Sequence, residues 1–195
     1  MKILVIGVGG IGSWLIQEIA EAVKQEQIEP RVRFKIADND MVELRQIDYQ
    51  NFSVKDIGRN KAEILARRYK NQVFISPIEE RILNREQLEG YDLIICCADN
   101  TVVRELLFRY CHDSNKDFID LRAEGRYVMA FQKSNLKTDL TTLDLADRTN
   151  GSCQKDEDTE KRWIQKGNKI VAMVGIQMLL NYLRGEKNNK ILIKI

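Results

Sequence analysis

Val5–Trp14 reads VIGVGGIGSW. Gly7, Gly9, Gly10 and Gly12 fall between an apolar run and a segment with helical spacing. Lys2 to Ile6 is short, apolar and rich in β-branched residues, which predicts a buried strand. From Ser13 to Lys24, Trp14, Leu15, Ile19 and Val23 recur at helical intervals. Strand, glycine loop and helix in succession begin a βαβ unit. The spacing Gly7-x-Gly9-x-x-Gly12 allows a tight turn, a close approach of phosphate, and close packing of helix on strand. The helix N-terminus adds free N–H groups and partial positive charge.

Outward from this loop, strands and helices alternate. Val32 to Ala37 predicts a second strand ending at Asp38, and Asp56 to Tyr69 a second helix with Asp56 as its cap. Val73 to Ser76 is a further strand. YDLIICCA, from Tyr91 to Ala98, is a continuous apolar run and reads as a central parallel strand. A helix follows from about Thr101 to Cys111, with Val103, Leu106, Leu107 and Tyr110 facing inward. Phe118 to Leu121 and Tyr127 to Phe131 are strands, Asn168 to Arg184 is an apolar helix closed by Gly185, and ILIKI ends the chain as a strand. The fold class expected is α/β: a Rossmann-like, doubly wound, mainly parallel sheet with helices on both faces. Neither a repeat nor a linker interrupts the 195 residues, so one domain is expected, with a polar crossover loop at about 134–162.

Composition excludes several classes. A net charge of +2 is too mild to argue for nucleic acid or an acidic membrane surface. The start of the chain mimics a signal peptide, with IAEA after the apolar run. The four glycines in phosphate-loop spacing, followed by Glu18 and Glu21, argue against that reading. No other stretch suits a membrane span, so a cytoplasmic protein is expected. Cys96, Cys97, Cys111 and Cys153 form no CxxC pair, and His112 is the only histidine, so a structural zinc site is discounted. Cys96 and Cys97 are expected in the core, one on each face of their strand. His112 reads as a partly exposed helix residue.

The glycine loop and Asp38 alone accommodate NAD or ATP, and an NAD(P)-dependent oxidoreductase stays open at this point. The segment ADNDMVELRQIDYQNFSVKDIGRNKA, ending at Ala62, has no evident purpose in a dehydrogenase. With the GxGGxG loop it resembles the ThiF/MoeB/HesA family of E1-like adenylating enzymes, which activate ubiquitin-like and sulfur-carrier proteins. Asp38, Asp40, Val42, Glu43, Gln50, Asn51, Phe52, Asp56, Gly58, Lys61 and Ala62 match the family pattern. CCADN with Arg104, and GNKIVAMVGIQMLLNYLRGE, extend the match over nearly the whole chain.

The resemblance implies ATP-dependent adenylation of a C-terminal carboxylate with release of pyrophosphate. It implies ATP and Mg²⁺ as cofactors. Gly7, Gly9, Gly10, Gly12, Asp38, Asp40, Gln50 and Lys61 would bind the nucleotide, with Lys61 neutralising phosphate charge and Asp38 taking the ribose. Asp99 would hold Mg²⁺ at the end of a central strand, and Arg104 would order the segment after it. Cys153, in GSCQ, stands where some relatives carry an acyl-accepting or sulfur-bearing cysteine; an unpaired loop thiol is the alternative. On the residues alone, Lys61 is also an ordinary solvated helix lysine and Asp99 a helix cap.

Three departures stand out. The register places the family arginine at Tyr49 and the preceding family asparagine at Gln46, which removes a cation from the phosphate site. Arg45 and Arg59 are the nearby candidates to replace it. The first strand starts at the first residues, leaving no N-terminal helical extension of the kind that lends an arginine to a partner subunit; relatives usually dimerise, which makes a homodimer an expectation. Zinc cysteines are missing. A non-catalytic nucleotide- or protein-binding relative is therefore the main alternative to an active enzyme.

Overall fold

The computed structural model describes residues 1–124, 127–133, 161 and 166–195. The chain runs β1 (Lys2–Ile6), α1 (Gly10–Lys24), β2 (Arg33–Ala37), α2 (Lys61–Tyr69), β3 (Phe74–Ile78), β4 (Leu93–Cys96), α3 (Thr101–Ser114), β5 (Asp117–Glu124), β6 (Tyr127–Gln132), α4 (Gly167–Leu183) and β7 (Ile191–Lys194). The seven strands form one sheet in the order β3-β2-β1-β4-β5-β6-β7. β1 to β5 are parallel, and β6 and β7 are added antiparallel. This is the expected doubly wound, mainly parallel α/β fold.

Strand alternation sorts the core into two layers. Ile3 and Val5 of β1 point to the face covered by α1, α2 and α4, whereas Leu4 and Ile6 point to the face covered by α3. β4, LIIC, is buried at every position because helices lie on both of its faces. Cys96 joins the α3 layer and Cys97 the opposite one, as strand alternation predicts. On the α3 side Phe108, Phe118 and Phe131 form an aromatic cluster, with Phe108 edge-on to Phe118 at 4.8 Å between centroids. His112 is exposed, beside Asp113. Among the described residues no helix is long and apolar enough to cross a membrane. The polar stretch at 134–162, apart from residue 161, and Cys153 lie outside the described residues.

The helices α1, α2 and α3 differ at their ends from the sequence reading. α1 begins at Gly10 rather than Ser13, because its first backbone bond, Ser13 N–H to Gly9 O at 3.1 Å, already encloses the glycines. The expected helix from Asp56 is split: a 3₁₀ turn at Val54–Asp56 ends before Gly58, whose φ of +76° reverses the chain, and α2 starts at Lys61. Asn60, not Asp56, caps α2, accepting from Glu63 N–H at 3.0 Å. Asp56 instead accepts from Ser53 N–H and ties the turn to Arg68 of α2 at 2.8 Å. The expected cap of α3 at Asp99 is also corrected: Asn100 Oδ1 accepts from Val102 N–H at 2.8 Å, and the helix runs on to Ser114.

A Cβ on Gly12 would collide with the Gly7 carbonyl oxygen, a backbone atom held by β1. Gly12→Ala is therefore expected to destabilise the fold by about 3 kcal/mol or more. Urea unfolding of the variant against the wild type checks this; an unchanged midpoint would contradict the packing described.

Candidate active site

The strand order reverses between β1 and β4, so their carboxyl ends open a crevice at the switch point of the sheet. Gly7 N–H bonds to Ala37 O and Cys97 N–H to Ile6 O, each at 2.8 Å, which ties the ends of β2, β1 and β4 together. Gly7 has φ of +81°, and a Cβ there would stand 2.7 Å from the Ala98 backbone. Only glycine passes this point. Above it lies a cleft of about 990 Å³, lined by Gly7, Gly9, Gly10, Asp38, Lys61 and Asp99 among others.

Asp38 organises the β2 side of the cleft. Its Oδ2 accepts from Val8 N–H at 2.8 Å and its Oδ1 from Asp40 N–H at 2.9 Å. Burial raises its pKa above the ordinary 3.8; the Asp40 and Val8 N–H groups and Lys61 act in the opposite direction, and the Asp40 charge adds to the rise. Asn60, the cap of α2, donates to Asp38 O at 2.9 Å, so the loop after β1 and the start of α2 share one anchor.

Lys61 opens α2 and is only 3% exposed, so the solvated-lysine reading does not hold. Its Nζ pairs with Asp40 Oδ2 at 3.3 Å, and its N–H bonds to Asp40 O at 2.9 Å. Removing an ammonium from water is unfavourable, and the one carboxylate paired with it here is mostly exposed. Gln50 is buried nearby. Its neighbour Asn51 donates to α1 three times: N–H to Ser13 Oγ at 3.0 Å, and Nδ2 to Gln17 Oε1 at 2.8 Å and to Ser13 O at 3.3 Å. Trp14 Nε1 donates to Tyr49 O at 3.1 Å. These bonds latch residues 49–51 onto α1.

On the far side, Asp99 follows β4, exposed and on the cleft wall. Arg104 is buried rather than solvated. Its Nε donates to Ala98 O at 2.9 Å, its Nη2 to the same oxygen, and its Nη1 to Asp120 at 2.9 Å. Arg122 pairs with the other side of Asp120 at 2.6 Å. The carbonyl just before Asp99 is thus fixed by a buried guanidinium, which is itself held by a fully buried carboxylate.

The departures have definite places too. Tyr49 is half-buried and lines the cleft. Arg45 also lines it, exposed and paired with Glu43 at 2.6 Å. Arg59 pairs with Glu63 along α2 and is not among the lining residues. Arg45, Lys61 and Arg81 are the basic residues of the lining, against Asp38, Asp40, Glu43, Glu80 and Asp99. No group of three or more His, Cys, Asp or Glu side chains among the described residues makes a metal cage. A hard dication held by Asp99 together with phosphate oxygens and water fits such a site, as Mg²⁺ keeps few protein ligands. Burial pushes the Cys96 thiol up to about 11 and the Cys111 thiol to about 12, so neither is a nucleophile at neutral pH.

Sequence reasoning missed Asn168, Asp120 and Arg122. Asn168 is buried in the first turn of α4, with its amide against Gly10. Asp120 and Arg122 belong to a strand whose neighbours read only as core.

This geometry defines a doubly wound α/β protein with a glycine loop, a buried lysine and a strand-end aspartate around one crevice. The chain belongs to the ThiF family, whose sequence model matches residues 1–194. It is 26% identical over 134 residues to the SUMO-activating enzyme subunit uba-2 of Caenorhabditis elegans, covering 65% of this chain and 22% of that protein. It is 29% identical over 157 residues to the tRNA threonylcarbamoyladenosine dehydratase of Haemophilus influenzae, covering 74% of this chain and 52% of that protein. The chain thus spans about half the length of one curated relative and about a fifth of the other. Among solved structures it is similar to Escherichia coli MccB with ATP, at a TM-score of 0.74 and 17% identity over 100% of this chain and 60% of that one. PaaA is similar at a TM-score of 0.69 and 16% identity, with the same coverage. At these identities the two structures speak for the fold.

The raised pKa of Asp38 has a pH signature. An acid whose folded pKa lies above its unfolded value contributes stability that is present below the unfolded value and lost as pH rises through the folded one. Relative to Asp38→Asn, the wild type is therefore expected to lose stability as pH rises from about 3.8. Urea midpoints of the two proteins across this range measure the trend; a difference that does not move with pH would rule out the desolvated carboxyl.

Proposed function

We propose that this protein, as one adenylation domain acting in the cytoplasm, uses ATP to adenylate the C-terminal carboxylate of a ubiquitin-like or sulfur-carrier protein. In that reaction a carboxylate oxygen bonds to the α-phosphorus, the bond from that phosphorus to the bridging oxygen breaks, and pyrophosphate leaves. The observation that carries this reading is the buried Lys61, held at the cleft beside Gly9 and across from Asp99. Family membership supports it over the dehydrogenase reading.

Each residue has a stated task. Lys61 offsets phosphate charge in a site shielded from water, where such a contact is strongest. The nearest atoms to a Cβ on Gly9 would be those of Gln50 and Lys61, at 3.6 Å or more, so the glycine leaves room for an incoming group. The first turn of α1 supplies N–H groups that have no intrahelical acceptor. Asp38, though bonded to Val8 and Asp40, retains lone pairs for a ribose hydroxyl. Mg²⁺, held by Asp99, would neutralise charge on the leaving pyrophosphate. Arg104 keeps Asp99 in place through the Ala98 carbonyl. In a later step the Cys153 thiolate would attack the acyl carbonyl of the adenylate, forming a thioester as the carbon–oxygen bond breaks and AMP leaves.

ATP–pyrophosphate exchange with the partner protein tests this. Asp99→Ala is expected to abolish exchange, and Lys61→Ala to lower it about 10²- to 10³-fold. Exchange at the wild-type rate in either variant removes that residue from the reaction.

The acid-rich lining and Tyr49 favour a second reading, a family member that binds nucleotide with little turnover. Tyr49→Arg adds a cation to the cleft wall and is expected to raise exchange by about tenfold or more. A rate unchanged by this substitution would mean that charge at position 49 does not limit the protein.

A further inference from the structure

Among the described residues, two carboxamides beside the glycine loop carry buried polar atoms without a hydrogen-bond partner. Both Oδ1 and Nδ2 of Asn168 are unsatisfied, as is Oε1 of Gln50. Asn168 is 2% exposed and Gln50 is 7% exposed. They flank successive residues of the loop. A Cβ on Gly10 would stand 2.7 Å from Asn168 Nδ2 and 3.3 Å from its Oδ1; one on Gly9 would stand 3.6 Å from Gln50 Nε2 and 3.7 Å from its Oε1. Burying an unpaired amide is unfavourable, and an apolar residue of similar shape avoids that cost. The unpaired Asn168 amide therefore costs stability where it lies, at the N-terminus of the 15-residue α1 that closes the glycine loop.

The chemistry of the missing partner is restricted. Phosphate and carboxylate oxygens only accept, so they satisfy Nδ2 but leave Oδ1 and Gln50 Oε1 unpaired. Asn168 needs a group that both donates and accepts. A ribose hydroxyl has this property, but Asp38 stands on the β2 side of the loop, whereas α4 packs over β5 and β6 and brings Asn168 in from the opposite side. A planar peptide group, N–H to Oδ1 and C=O from Nδ2, matches the carboxamide edge to edge.

We infer that Asn168 is a specificity-determining residue that pairs with the last peptide group of the acyl substrate, so that the site selects chain ends over simple carboxylic acids. This rests on the adenylation reading above. Gln50 Oε1, beside Gly9 and Lys61, completes the acceptor pair along the loop.

Two acyl-adenylate mimics test it on the full chain by calorimetry: 5′-O-(N-acylsulfamoyl)adenosine carrying an N-acetylglycyl group, which has the peptide N–H, or a pentanoyl group, which lacks it. The wild type is expected to bind the first about tenfold or more tighter. Asn168→Leu is expected to bring the two affinities to near equality while leaving that for the pentanoyl form within about threefold, with an unchanged or higher thermal midpoint. Asn168→Ala gives the same comparison if leucine disturbs α4. Both mimics bound equally by the wild type, or discrimination kept in the variants, overturns the inference; the latter result would mean that the amide holds only an internal water. Binding of neither mimic by the wild type overturns the adenylation reading and this inference with it.

Discussion

The backbone at Gly7 passes Ala98 so closely that a Cβ would stand 2.7 Å from it. The site depends on this contact. It brings the loop after β1 against the loop after β4, where the strand order reverses, and sets the distance between the start of α1 and Asp99. Both loops are then fixed from behind. Asp38 holds Val8 and Asp40 by their N–H groups, and Arg104 holds the Ala98 carbonyl. The Arg104–Asp120–Arg122 group is a case in which burial of charge is tolerated because every partner is present. It is better understood as a device for position than for stability.

Charge around the cleft is unevenly arranged. Five acidic residues and three basic ones line it, and two of the basic residues are paired with acids of the same lining. Such a surface does not attract a polyanion by its overall field. What the cleft offers an anion is local: the N-terminus of α1 and the buried ammonium of Lys61. Tyr49 stands on the cleft wall without adding positive charge to it, and Arg59 pairs with Glu63 and is not among the lining residues.

Much of the fold was legible in the sequence. Period-two and period-3.6 patterns placed each helix and strand described here within a few residues, and the continuous apolar run of β4 revealed a strand covered on both faces. The two misread helix caps share one cause. Asp56 and Asp99 read as caps because acids commonly precede helices, yet the capping side chains are the asparagines Asn60 and Asn100. Which polar residue turns back onto the helix depends on where the turn before it ends, and Gly58 decides that for α2 through its positive φ.

The sequence by itself determined the class of fold, the glycine loop, and the membership of Asp38, Lys61 and Asp99 in one ordered pattern. These are local spacings, and local spacing is what a chain displays directly. The tertiary structure alone decided that Lys61 is buried, that Asp120 stands behind Arg104, and that the amide of Asn168 lies unpaired against Gly10. Burial and hydrogen-bond satisfaction are properties of contacts between distant segments, and no pattern within one segment records them.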